Sequence, residues 1–347
     1  MKKIAIILFN LGGPNNQKAV QPFLFNLFND PAIIGLPQPF RYLIAKLISK
    51  RRAPIAYEIY GKMNGGSPIL KNTRAQAQAL EDELNQGSSD QAYKCFIAMR
   101  YWHPFADEAI QDIQNYAPDE IVLLPLYPQF STTTTGSSLK EWHELTAKNN
   151  ISLPTKTICC YPQEPGFIRP LADATRKAYE QAKQGGTPRI LFSAHGLPEK
   201  IVLKGDPYQR QCEITVEALQ KELSIEGLDS LLCFQSRVGP LKWIGPATDD
   251  EVRRAGRDKV PLVVVPVAFV SDHSETLVEL DIEYRHLANE SGVPFYAVVP
   301  AVGTTPDFIR GLAKVVHDSQ GRKRDCVSST GARLCSLEFT GCICKQD

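Results

Sequence analysis

At 347 residues the chain is more than twice the roughly 150 residues of a typical domain, so two domains are expected. Its 43% hydrophobic and 22% charged residues are the balance of a globular chain and exclude a disordered one. Lys and Arg number 39 against 38 Asp and Glu, a net charge of +1 that leaves no electrostatic footprint for nucleic acid and sets that class of partner aside.

Taken in chain order, eight apolar runs rich in β-branched and aromatic residues predict strands at 3–9, 94–100, 120–126, 155–161, 189–194, 231–237, 261–267 and 295–300. Most are apolar throughout instead of alternating, as parallel strands covered on both faces should be. Helical patterns at 72–85, 167–183 and 207–223 lie between them. The alternation predicts an α/β fold of two Rossmann-like, doubly wound domains, each with a four-stranded parallel sheet flanked by helices. No apolar run approaches the roughly 20 residues of a membrane-spanning helix. Met1-Lys2-Lys3 before an apolar run has the look of a signal-peptide start. However, Asn10-Leu11-Gly12-Gly13-Pro14 follows without a small-x-small cleavage site, so a first strand and a cytoplasmic protein are the expectations.

An internal echo relates the halves. Residues 7–12 resemble 190–195 at an offset of 183, and 122–126 resemble 263–267 at an offset of 141. The shortfall of 42 residues predicts an insertion in the first half, at about 31–72. There Phe40, Leu43, Ile44, Leu47 and Ile48 recur at helical spacing among Arg41, Lys46, Lys50, Arg51 and Arg52, with no acidic residue. Three readings fit a basic amphipathic helix of this kind: a membrane-surface segment, a helix packed on the core with a solvated basic face, or the apolar lip of a cleft.

In open α/β sheets sites lie beyond the carboxyl ends of strands. The strand at 189–194 ends in His195-Gly196-Leu197-Pro198, a His held by a tight turn. The strand at 261–267 leads to Ser271-Asp272-His273-Ser274-Glu275, where Ser271 or Asp272 can cap a helix. Along that helix Glu275, Glu279 and Glu283 fall at i, i+4 and i+8 on one face, with Leu277, Leu280 and Tyr284 expected on the other. Either the row is a solvated face or it serves a cation, since buried like charges repel. Imidazole with carboxylate suits a first-row divalent metal that must be released. Arg100-Tyr101-Trp102-His103 and the hydroxyl run 131–138 follow two further strands. The chain lacks the G-x-G-x-x-G of dinucleotide folds, a Walker A sequence and a G-x-S-x-G elbow. What remains is a crevice for a large apolar ligand and a transient cation.

Several motifs occur in order. They are Leu11-Gly12-Gly13-Pro14, Arg51-Arg52-Ala53-Pro54 with Tyr60, Gly65-Gly66-Ser67-Pro68, Arg100-Tyr101, and Leu126-Tyr127-Pro128-Gln129 with Thr134-Thr135-Gly136-Ser137. Ser193-Ala194-His195-Gly196-Leu197-Pro198 comes next, then Gln235-Ser236-Arg237-Val238-Gly239-Pro240 before Trp243, and finally the stretch 271–281. With this set the chain closely resembles the ferrochelatase family up to about residue 320.

The resemblance implies insertion of ferrous iron into protoporphyrin IX to give protohaem, in a porphyrin cleft between two Rossmann-like domains. It implies His195 and Glu275 as the metal and catalytic site, His195 acting as metal ligand, proton acceptor or both, and Glu279 and Glu283 as a path for metal or protons. Leu11, Arg52, Tyr60, Ser67, Arg100, Tyr101 and Trp243 are the implied porphyrin-binding residues. Arg52 and Ser67 suit the propionates, and Arg100 suits the inner end of the site. The expected division is 1–165, 166–305, a C-terminal helix at 306–325 packing back on the first domain, and a Cys-rich tail at 326–347. Two alternatives stand beside this activity: a noncatalytic tetrapyrrole or metal carrier, and a chelatase for coproporphyrin or cobalt. The substrate's poor solubility gives the lip segment a purpose as peripheral contact with the inner face of the cell membrane. Nothing in the sequence specifies an oligomeric state.

Nine Cys, an odd count in a cytoplasmic context, do not suggest a disulfide framework. Four of them, Cys326, Cys335, Cys342 and Cys344, crowd into 19 residues with spacings x8, x6 and x1. Some family members hold a [2Fe–2S] cluster with three Cys near the C-terminus and a fourth in the core. In the animal pattern the fourth falls in the segment matching Phe130-Ser131-Thr132-Thr133, which has no Cys here. Three outcomes are open for the tail: a [2Fe–2S] cluster, zinc, or an unstructured reduced segment.

Overall fold

The computed structural model describes residues 1–237 and 239–344. Val238 of the motif at 235–240, and residues 345–347 of the tail, lie outside the described residues. The strands are β1 (Lys2–Asn10), β2 (Gln91–Met99), β3 (Glu120–Pro125), β4 (Thr155–Cys160), β5 (Arg189–His195), β6 (Ser230–Gln235), β7 (Leu262–Pro266), β8 (Tyr296–Val298) and β9 (Cys326–Ser328). The α-helices of the first half are α1 (Val20–Phe28), α2 (Phe40–Gly61), α3 (Ile69–Asn85), α4 (Ala106–Tyr116) and α5 (Thr135–Lys148). Then come α6 (Pro165–Ala182), α7 (Glu199–Val202), α8 (Tyr208–Leu223), α9 (Thr248–Asp258), α10 (Tyr284–Ser291) and α11 (Pro306–Gln320).

The strands form two all-parallel sheets, ordered β2-β1-β3-β4-β9 and β6-β5-β7-β8. The first four strands of each share one winding, so β1 matches β5 and β3 matches β7, as the internal echo expects. In each sheet the topological switch falls between these two central strands, which is where an open α/β sheet offers a crevice.

Alternate residues along β1 explain why its sequence is apolar throughout. Ile4, Ile6 and Leu8 enter the core that lies between the two sheets, while Ala5, Ile7 and Phe9 enter a second core under α4 and α5. The shared core also takes Ile190 and Phe192 of β5 and Val263 and Val265 of β7, so the halves are joined by buried apolar surface. Helix α11 packs on α6 and also on α3 and β4 of the first half. It crosses α6 so closely that a Cβ on Gly166 would lie 2.7 Å from the Gly311 Cα, a contact that only glycine allows.

The tail supplies the one strand that the sequence pattern does not announce. β9 pairs with β4 in parallel, Thr157 opposite Cys326 and Ile158 opposite Val327, and adds a fifth strand to the first sheet. Of the three outcomes open for the tail, the unstructured one therefore does not hold for residues 326–344.

The inserted segment forms α2. Ala45, Ser49, Ala53, Ala56 and Tyr60 face inward, while Phe40, Leu43 and Leu47 are exposed and Ile44 and Ile48 are half-buried. The packed stripe is one of small residues, and the large apolar ones point out. Among the described residues, no helix is long and apolar enough to cross a membrane.

Candidate active site

His195 is the last residue of β5, and Glu275 opens the π-helix Glu275–Glu283 that follows β7. The two strands are neighbours, so the side chains meet at the switch point: His195 Nδ1 lies 2.8 Å from Glu275 Oε2. On the other oxygen, His273 Nε2 approaches Glu275 Oε1 to 3.7 Å. Burial opposes the positive charge on His195, but the Glu275 carboxylate outweighs it and raises the imidazole above its ordinary value. Burial likewise pushes Glu275 up, and the charge and hydrogen bond of His195 carry it well below the usual carboxylate range. A neutral imidazole bonded through Nδ1–H keeps its lone pair on Nε2, free for a proton or a metal.

First-half side chains hold the loop that leads to Glu275. Asn72 Nδ2 donates to the Asp272 carbonyl at 2.8 Å, and Gln76 Nε2 donates to the Val270 and Gly303 carbonyls at 2.8 and 3.0 Å. Neither Ser271 nor Asp272 caps the helix, whose N-cap position is Ser274; Asp272 Oδ1 instead accepts from the Ala301 N–H. None of these amides carries a sequence motif, so they surface only when α3 docks.

The acidic row runs from buried to exposed. Glu279 accepts from the Ser236 N–H at 2.8 Å, from its hydroxyl at 2.5 Å and from the Tyr284 hydroxyl at 3.0 Å. Burial, followed by the nearby Glu275 charge, raises its carboxyl. Gln235 and Ser236 reach back to Glu275 Oε2 at 3.3 and 3.4 Å. Glu283 stands at the rim, 3.6 Å from Lys62 Nζ. The expected apolar side differs: Leu280 is buried, but Leu277 is exposed and Tyr284 joins the carboxylates. The π-helix turn, with its i→i+5 bonds, displaces these positions from where an α-helix would put them.

A cavity of about 550 Å³ lies against this row, lined by Ser236, Trp243, Glu279, Glu283 and Tyr284 among others. Trp243 packs over Gly196, where a Cβ would lie 3.2 Å from the indole. In the first half, Leu11, Tyr60 and Tyr101 belong to one apolar cluster with α1 and α2. Tyr60 hydrogen-bonds Ser274 beside Glu275, and burial is the main cause that pushes its hydroxyl up to about 12. Arg52 stacks on Phe28 with its guanidinium carbon 5.7 Å from the ring centre, and Ser67 Oγ accepts the Ile69 N–H at 3.3 Å.

Arg100 is engaged inside the protein, 2.9 Å from both Asp30 and Glu141 and 2.7 Å from Ser137. Tyr101 is buried and donates to Asp30 at 2.8 Å. The pair thus braces the wall; of its partners Ser137 closes a quoted motif, while Asp30 and Glu141 have no motif to announce them. The hydroxyl run serves the seam: Ser131 Oγ and the Thr132 N–H donate to Asp206 of the second half at 2.9 and 2.7 Å.

At the end of β4 the tail thiols meet two others. Cys159, Cys160, Cys335, Cys342 and Cys344 are buried in one cluster with Phe130, and Cys326 packs against it. Cys335 pairs with Cys342, whereas Cys159, Cys326 and Cys344 are mutual neighbours, and Cys159 Sγ also lies 3.3 Å from Cys160 Sγ. Within the first pair the shared hydrogen bond raises the Cys335 thiol and lowers that of Cys342 to about 7. Among the described residues, no three metal-ligating groups converge on one point. Cys159 and Cys160 read as ordinary strand residues in sequence, because their role depends on where β9 pairs.

The ferrochelatase family model matches residues 3–320. A ferrochelatase of Caulobacter vibrioides is 52% identical over 99% of this chain and 98% of its own. One from Pelagibacter ubique is 54% identical over 91% of each chain, and one from Rickettsia felis 49% over 99% and 98%. The structure of SirB from Bacillus subtilis with Fe3+ shares the fold, with a TM-score of 0.52 at 11% identity over 92% of this chain and 96% of that one. By the family match and by these relatives, the chain belongs to the ferrochelatase family.

Proposed function

We propose that the chain inserts ferrous iron into protoporphyrin IX, giving protohaem and releasing two protons in the last step of haem synthesis. It is a metal chelatase, a lyase. The observation that carries the site assignment is the 2.8 Å contact between His195 Nδ1 and Glu275 Oε2, from which Glu279 and Glu283 lead to an open cavity.

A free macrocycle carries two pyrrole N–H groups inside a flat ring, so the reaction needs a nonplanar ring and an acceptor for protons. In this reading Leu11 and Tyr60 of the first half and Trp243 of the second are the apolar walls of the ring, and close apolar faces favour a distorted ring. His195, oriented by Glu275, offers Nε2 as the base and the pair as metal ligands. Glu279, whose carboxyl is raised, takes protons or metal onward, and Glu283 opens the row to solvent. Arg52 and Ser67 face the propionates in this reading, and Arg100 and Tyr101 brace the inner end.

The tail fits a [2Fe–2S] cluster better than zinc. A closed zinc site needs three or four donors on one point, which the described residues do not bring together, whereas a [2Fe–2S] centre takes two thiolates on each of two irons, and six thiols gather here in one buried group. Cys335 and Cys342 make one pair. Cys344 makes the other with Cys326, or with Cys159, which bonds them both. Such a cluster, when bound, supplies one-electron redox chemistry, and insertion of iron needs none.

Exposed Phe40, Leu43 and Leu47 beside Lys46, Lys50 and Arg51 suit peripheral contact of a cytoplasmic protein with an anionic membrane, which co-sedimentation with anionic vesicles tests. For the activity, purified protein is incubated anaerobically with protoporphyrin IX and Fe2+, and the metalloporphyrin spectrum is followed. Turnover is expected. A shifted porphyrin spectrum without turnover would mean a carrier, and preference for coproporphyrin or cobalt would mean a different chelatase.

A further inference from the structure

Gln211 stands where the two halves and the tail meet. It lies in the first turn of α8 and is fully buried. Its Oε1 accepts the backbone N–H of Phe130, from the first half, at 2.7 Å. That bond fixes which end of the amide is which, because an N–H can donate only to the oxygen. The amide nitrogen must then point the other way, and it donates to Cys335 Sγ at 3.1 Å.

We propose that Gln211 is a positioning residue for the metal–sulfur group of the tail, and that its N–H···S bond to Cys335 sets the reduction potential of that group. The assignment rests on the [2Fe–2S] reading of the thiol pairs and deepens it. Cys335 is a ligand under either choice of the fourth thiol, so the contact reaches a ligating sulfur in both. A donor aimed at a thiolate stabilises electron density on it, and reduction adds one electron to the cluster. The bond therefore favours the reduced state and raises the potential. The donor is neutral and rigidly held, in a site closed to water, where hydrogen bonds to sulfur are a main lever on potential.

The test uses anaerobically purified full-length protein, with iron and sulfide assayed and the midpoint potential read by spectroelectrochemistry and by the electron-paramagnetic signal of the reduced cluster. Gln211→Leu removes the donor to sulfur and also the Phe130 contact. Gln129→Leu is the control for seam damage: it breaks bonds to Thr215 and the Val267 carbonyl at 2.8 and 2.9 Å without touching a thiol. Gln211→Leu is expected to keep its iron and sulfide and become harder to reduce by about tenfold, ~59 mV downward for one electron. Gln129→Leu should keep the wild-type potential. An unchanged or higher potential in Gln211→Leu, an equal shift in both variants, or loss of the cluster from Gln211→Leu alone would each overturn the assignment. Wild-type protein without iron and sulfide would instead overturn the cluster reading, and the tuning role with it.

Discussion

A carboxylate between two imidazoles decides the chemistry at the scale of single residues. Glu275 keeps its charge because His195 and His273 compensate its burial, and in return it makes His195 easier to protonate. In the proposed mechanism His195 must shed that proton before it can take one from the porphyrin or bind metal. The acid limb of the pH–rate profile should accordingly lie above the ordinary imidazole value of ~6.5, with activity rising as pH increases through it. In metal-free Glu275→Gln the opposing burial acts without the carboxylate, so the His195 midpoint in an NMR titration should fall. An unmoved midpoint would show that Glu275 is not the partner that charges it. His195→Ala should lose about 10²–10⁴-fold in turnover while its circular dichroism stays that of the wild type. Near-normal turnover in that variant would remove His195 from the site. Each residue was legible in sequence as a strand-end His or an acidic row, and the family resemblance implied the pair; that their strands are neighbours is visible only in the sheet. Asp30 and Glu141 were not legible, since a carboxylate gains its meaning from a partner tens of residues away.

Among the elements, the π-helix sets three carboxylates in a row of graded exposure, the path of the proposed mechanism. Glu279 is clamped by Ser236 and Tyr284, whereas Glu283 is exposed and faces Lys62 at a distance where solvent screens the pair. The two should therefore respond unequally to replacement. Glu279→Leu is expected to raise the metal concentration needed for half-maximal rate by about tenfold, equivalent to ~1.4 kcal/mol. Glu283→Leu should raise it by a few-fold at most, and that effect should fade at ~1 M salt. Equal effects of both, measured with Zn2+ as a stable surrogate, would show that depth along the row does not matter. The row was legible in sequence because i, i+4 neighbours share a face in either helix type. The π character was not, so Tyr284 was expected on the wrong side. For the same reason of scale, eight strands were legible and β9 was not: three residues, Cys-Val-Ser, hold no pattern until β4 offers an edge.

Over the whole molecule, the distance between the two sheets sets the geometry of the cleft, and α3 spans it. Its N-terminus begins just after Ser67, and Asn72 and Gln76 grip the loop that delivers Glu275. Gln76 does this at a cost, since its Oε1 is buried with no partner, a penalty of about 1–3 kcal/mol. A side chain selected only to stabilise the seam would avoid that. Gln76→Leu removes the orphaned oxygen together with the two bonds to Val270 and Gly303, so losses and gains in stability largely offset, and the melting temperature should move little. Turnover should fall by about tenfold to a hundredfold, because the Glu275 loop loses its fixed height over the cleft. The fall should lie in kcat, with the KM for porphyrin nearly unchanged, because the macrocycle is gripped by walls that Gln76 does not touch. A variant that melts early and loses kcat and KM together would reduce Gln76 to a structural strut. A folded variant with wild-type kcat would show that the loop holds Glu275 in place without help from the first half.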